Sequence, residues 1–161
     1  MSLKTPASLR LQHQELHDTL SRATHEPGAI GEAASLVARL LRAHAHKEES
    51  FALPPLGLLL DLAIRRGPEP YMAPAIGHAA WLRTHLDDMR AEHRAIEAAL
   101  ELLMAAAREA ERFEYAEFAH RLIVHARIEE EVMYPAAILV GEYLALKLSP
   151  VAPTSRPLTL S

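Results

Sequence analysis

Two histidines, His44 and His125, are each followed by glutamate four residues on and by proline ten residues on: His44, Glu48, Pro54 and His125, Glu129, Pro135. Both motifs lie in stretches rich in Leu, Ala, Arg and Glu, where apolar residues recur at steps of three and four and β-branched residues are sparse. That pattern is helical. On a helix, a four-residue step turns by only about 40°, so each histidine and its glutamate share a face. The face is apolar: Leu36, Val37, Leu40 and Leu41 lead to His44, and Phe118 and Leu122 lead to His125. Two further helical stretches each carry one histidine in an apolar stripe. They are His13 among Leu9, Leu16 and Leu20, and His93 among Leu82, Leu86, Met89, Ile96, Leu100 and Leu103. A buried carboxylate is costly unless it is paired or bound to a cation. Four histidines and two glutamates turned toward one interior therefore point to a metal site with ligands His13, His44, Glu48, His93, His125 and Glu129. Imidazole and carboxylate donors suit iron, manganese or zinc.

The spacing also suggests an internal duplication. His13 to His93 spans 80 residues and His44 to His125 spans 81. Two similar helical hairpins would place near-symmetric halves around a two-metal centre. The expected fold is all-α, an up-down-up-down four-helix bundle. Its first helix has Thr5 as N-cap and Pro6 in the first turn, and stops near Pro27-Gly28. The second runs from about Ile30 to Ala52, where Pro54-Pro55 ends or kinks it. A short apolar helix, Leu56 to Arg66, follows, and Gly67-Pro68-Glu69-Pro70 is a break. The third helix starts near Met72 to Ile76 and reaches about Arg108. After a break at Glu111 to Phe113, the fourth carries Phe118, Leu122, His125, Glu129 and Val132 on one face. Pro135 should kink it ahead of an apolar continuation from Ala136 to Leu148. Residues 1–148 thus read as one bundle domain and 149–161 as a proline-containing tail.

Composition narrows the function. The 161 residues suit a single domain, and a net charge of −4 with no clustered basic face argues against nucleic acid. No apolar run approaches the roughly 18 residues that span a bilayer, and no signal-peptide apolar region is visible at the N-terminus. There is no cysteine, which excludes disulfides, thiol catalysis and Cys-ligated zinc or iron–sulfur clusters and fits a cytoplasmic protein.

The four histidines, the two HxxxE motifs and the segments His46-Lys47-Glu48-Glu49 with Pro54-Pro55 and Ile128-Glu129-Glu130-Glu131-Val132-Met133-Tyr134-Pro135 resemble the hemerythrin-like family with the HHE cation-binding domain. The resemblance covers roughly Ser8 to Gly141. It implies a four-helix bundle holding two non-haem iron ions. Glu48 and Glu129 would bridge them, together with an oxide or hydroxide, and the four histidines would be terminal ligands. Manganese or zinc are possible substitutes. Where oxygen-carrying members place another histidine, one turn before His93, this chain has Met89. The resemblance therefore implies six protein ligands and a protein that binds or senses oxygen, nitric oxide or iron. A di-iron oxidase, a peroxidase or a nitric-oxide-reducing enzyme is the alternative, and a metal-free interaction bundle the second one. With no substrate pocket or general base readable, a metal-binding or sensing protein is expected ahead of a dedicated enzyme, with a small diatomic molecule or peroxide as partner.

The remaining residues have blander expectations. His17 reads as partly exposed beside Asp18, and His85 as lining the entrance or adding a ligand. His46, His25 and His120 should face outward, and His78 should pack near the start of its helix. Glu49, Glu130 and Glu131 are rotated from their histidine by roughly 140° or more, so they should be solvated or ion-paired unless one orients a ligand imidazole. Tyr134 reads as a phenol packed at a bundle end, with a redox or gating role as the alternative. Trp81, Phe51, Phe118 and Met89 read as core. The apolar segments after Pro54 and Pro135 should pack on each other or form a homodimer interface.

Overall fold

A computed structural model describes residues 3–64 and 67–148. The described residues are helical throughout, with no strand among them. They form α1 (Ala7–Thr24), α2 (Ala29–Lys47), α3 (Leu59–Ala63), α4 (Pro74–Glu109), α5 (Phe113–Ile128) and α6 (Tyr134–Leu148). Short 3-10 turns cover Pro54–Leu58 and Pro70–Met72. No described helix is long and apolar enough to cross a membrane. The expected tail from 149 onward lies outside the described residues, as does the Arg65-Arg66 end of the expected Leu56 to Arg66 helix, of which α3 is the described part.

Helix boundaries follow local chemistry. The N-cap of α1 is Pro6, not Thr5: the Pro6 carbonyl accepts from the Arg10 N–H at 3.1 Å, while Thr5 is buried and its Oγ1 has no hydrogen-bond partner. Gly28, at φ 69°, turns the chain from α1 into α2, a backbone conformation costly for residues with a Cβ. At the other hairpin Glu111 takes φ 56° between α4 and α5. The two turns meet. Arg112 forks onto Glu26 with bonds of 2.6 and 2.8 Å, and Tyr115 donates to the same carboxylate at 2.7 Å. Bidentate guanidinium–carboxylate contacts are among the more directional ion pairs.

Both expected proline kinks are realised as single π-helical turns, over Glu48–Ala52 and Glu129–Met133. A proline lacks the N–H for the normal helical bond, and its ring crowds the carbonyl four residues back. Inserting one residue relieves both problems; Leu53 N–H reaches the Glu48 carbonyl, five back, at 2.9 Å. The inserted residue rotates everything after it by about 100°. That rotation corrects two expectations. Phe51 and Val132 are turned outward, at 38% and 59% exposure, and the fully buried positions are Leu53 and Tyr134 instead.

α4 is the central element, packing against α2, α5 and α6, while α1 packs on α2 and touches α5. One apolar cluster, including Leu20, Val37, Ile96, Leu103 and Phe118, fills the hairpin-turn end. A second, with Leu53, Leu82, Met89, Tyr134 and Ala137, fills the other half. The Pro54–Leu58 turn packs on α6, with Leu58 beside Val140 and Leu144, so these apolar segments do cover each other. Gly141 permits the contact between α6 and α4: a Cβ there would lie 2.1 Å from the Ala79 Cβ.

Candidate metal centre

The six residues singled out by periodicity converge between the two apolar clusters. α1 supplies His13, α2 His44, α4 His93 and α5 His125, and the two π turns open with Glu48 and Glu129. Five of the six are buried, and His13 retains 13% side-chain exposure. Their donor atoms fall into two groups. His44, Glu48, His93 and Glu129 form one, and His13, His125 and Glu129 the other; within each, the donors lie within 4.8 Å of one another. Either group could hold a metal ion.

Glu129 belongs to both. Its Oε1 lies 2.9 Å from His125 Nε2 and 3.3 Å from His13 Nε2, and its Oε2 lies 3.4 Å from His93 Nε2. Glu48 keeps to the first group, with Oε1 3.3 Å from His44 Nε2 and 3.8 Å from His93 Nε2. Of the two glutamates to which the resemblance gave a bridging place, Glu129 lies in both donor groups and Glu48 in one. Tyr134 holds Glu48 where it is, donating its phenolic O–H to Oε1 at 2.5 Å.

The outer faces of two imidazoles are held by carboxylates. His44 Nδ1–H donates to Glu92 at 2.8 Å, and Lys47 closes on the same carboxylate. His93 Nδ1–H donates to Glu130 at 2.9 Å, and Arg90 Nε donates to Glu130 at 3.2 Å. With the protons of His44 and His93 on Nδ1, their Nε2 lone pairs face inward 2.7 Å apart; the Nε2 atoms of His13 and His125 lie 3.1 Å apart, and the buried His13 Nδ1 has no hydrogen-bond partner. Lone pairs at that separation repel unless positive charge sits among them. Lys47 and Arg90 remain on the far side of Glu92 and Glu130, so a proton or a cation must supply that charge. This donor set therefore fits a metal: largely buried, with imidazole nitrogens and carboxylate oxygens facing one another and the His44 and His93 rings already oriented.

The electrostatics agree. Burial pulls the His93 imidazole down, but hydrogen bonds to Glu129 and Glu48 and their charges win and hold it up at about 10. Burial likewise opposes charge on His13 and His44, and the glutamates around them raise both above their ordinary value. Burial works to raise Glu129, yet the surrounding imidazoles keep it well below the carboxylate range. Glu92 is also lowered: burial raises it, and Lys47 and His44 more than compensate. In the metal-free protein, protons occupy the place a cation would take, so metal entry must displace them.

Glu130 is ion-paired with Arg90, as one expectation had it, and also accepts from His93, the alternative allowed for these glutamates. Other expectations change. Tyr134 is not packed at a bundle end; its ring stacks 5.7 Å from His93, and its O–H lies 3.3 Å from His93 Nε2. Glu92 was missed by sequence reasoning. The one available signal was its place beside His93, about 100° around α4, in reach of a neighbouring helix. His17 is exposed beside Asp18. His85 belongs to neither donor group; it stacks on Trp81 at 4.3 Å and donates Nδ1–H to the Trp81 carbonyl at 2.8 Å. Met89 is fully buried, as expected of a core residue. His46, His25 and His120 face outward, and His78 donates to the Phe51 carbonyl at 3.1 Å.

Comparison with protein-family models, with curated proteins and with solved structures found no match to this chain.

Proposed function

We propose that the chain is a hemerythrin-like, up-down-up-down four-helix bundle that carries two non-haem iron ions and binds or senses a small ligand such as oxygen or nitric oxide. The observation supporting this reading above all is the division of six inward-facing donors into two groups with Glu129 common to both. His44, His93, Glu48 and Glu129 would hold one ion, and His13, His125 and Glu129 the other. Manganese or zinc would fit the same donors. Bound iron supplies reversible one-electron chemistry toward a diatomic ligand or peroxide. The protein's own contribution is orientation and exclusion. Glu92 and Glu130 fix the rings of His44 and His93, and the buried Met89 and Ile96, one turn either side of His93, keep water away from one side of the centre.

The test is the visible spectrum of protein loaded with ferrous iron under nitrogen and then exposed to air or nitric oxide. A ligand-dependent absorption change at two irons per chain is expected. A spectrum unchanged by either gas, with two irons bound, contradicts the sensing role.

Tyr134 supports a second reading, a di-iron oxidase or peroxidase. Its O–H, 2.5 Å from Glu48 and 3.3 Å from His93, can hand a proton to a molecule reacting between them. Sustained peroxide consumption with a reductant, slowed in Tyr134→Phe at unchanged metal content, would favour turnover. A single stoichiometric reaction would favour binding alone.

A further inference from the structure

The donor groups form the floor of a cleft of about 740 Å³ that runs between α1 and α2 to the surface. That is the size of sites that enclose drug-sized organic molecules, whereas one water occupies about 30 Å³. A diatomic ligand does not need such a space. Above the floor it is lined by the apolar side chains of Leu16, Leu20, Ala38, Leu41, Ile96 and Leu122, with polar residues such as Gln14, Ser21 and Ser35 among them. The outer lining includes three exposed arginines, Arg10 on α1 and Arg39 and Arg42 on α2. None of the three has a carboxylate partner among the described residues. Arg90, which stands in the second half of the chain where Arg10 stands in the first, is by contrast paired with Glu130. The residue corresponding to Glu130 is Glu49, which lies 3.8 Å from His13 Nδ1 and forms no pair with Arg10.

We propose that this cleft binds an amphipathic organic monocarboxylate, with its carboxylate on Arg39 and Arg42, one turn apart on α2, and its apolar body between α1 and α2, reaching toward the metal donors. A guanidinium matches a carboxylate in two parallel hydrogen bonds. The apolar walls between rim and floor require a ligand with an apolar body. Glu49 in the wall and Glu48 and Glu129 on the floor disfavour a ligand with more than one negative charge. The proposal deepens the metal-centre reading and rests on it for the floor of the cleft, but not for the arginine rim.

Octanoate and 1-octanol serve as probes, titrated calorimetrically into the full chain with and without bound iron, with metal content measured on every sample. Octanoate is expected to bind one per chain, about tenfold or more tighter than octanol, and to lose about tenfold or more in Arg39→Ala/Arg42→Ala. Arg10→Ala, at the far end of the cleft, should bind octanoate as the wild type does, and the double variant should keep its metal content. Equal affinity of octanoate for the wild type and the double variant, or equal affinity of octanoate and octanol, overturns the proposal. So does binding that requires iron and ignores the arginines, because the carboxylate would then sit on the metal. Absence of iron from every sample would refute the metal reading alone, since the arginine dependence is still read on that protein.

Discussion

Replacing Glu129 with Ala removes the oxygens that lie between His13, His93 and His125, whereas replacing Glu48 strips only the His44–His93 group. Glu129→Ala leaves only two donors in the His13–His125 group and should hold one ion per chain at most, whereas Glu48→Ala leaves three donors in each group and should retain more, measured by elemental analysis after desalting. Equal losses in the two variants would contradict the assignment of Glu129 as the shared donor. The carboxylates behind the rings give a second prediction. Glu92→Gln and Glu130→Gln should each weaken metal binding by about 10- to 100-fold, read by competition with a chelator of known affinity. An unchanged affinity would mean that the rings are held by packing alone. At this scale the convergence of the six residues was legible in the sequence, because an i,i+4 pair on a helix stays a pair whatever the helix packs against. Glu92 was not legible, because it serves His44 on another helix, and the register between helices is not written in either one.

Each π turn starts at a donor glutamate and ends two residues before a proline, so helix geometry and site geometry are coupled. Proline announced a kink, but its form decided which side chains turn inward. In the first half the residue carried inward ahead of proline is Leu53, and in the second half it is Tyr134. The two halves thus place an alkyl group and a phenol at corresponding positions, and the centre gains a proton donor from one side only. The α4–α6 contact gives a prediction at the same scale. Gly141→Val would push a branched side chain into Ala79 and the Ala75 carbonyl, 2.1 and 3.0 Å from its Cβ. The expected cost is roughly 1–3 kcal/mol, seen as a lowered denaturant midpoint. A midpoint equal to the wild type would show that α6 can move away freely.

Across the whole molecule, the ends of the helices are fastened unequally. Arg112, Glu26 and Tyr115 join the two hairpin turns, and hydrogen bonds from Arg112 and Tyr115 hold the Glu26 carboxyl below its usual value near 4.5. A depressed carboxylate stabilises the fold above its ordinary pKa, and that contribution is lost as pH falls through the folded value. The difference in Tm between wild type and Glu26→Gln should be full at neutral pH and close as the pH drops below about 4.5. A difference independent of pH would mean that the Glu26 charge contributes nothing. The helical class was legible from periodicity, and so was the place of each hairpin. The looseness of α1 was not, since its stripe of Leu9, His13, Leu16 and Leu20 resembles the others. Only packing shows that His13 keeps partial exposure and that a cleft opens beside it.

Metal content per chain, measured on protein purified without chelator and reloaded with ferrous iron, addresses the centre most directly. Two ions per chain are expected in the wild type and one at most in Glu129→Ala, with a Tm that falls when chelator removes the iron. A wild-type chain that takes up no metal and keeps the same Tm in chelator would contradict a metal centre at these six residues.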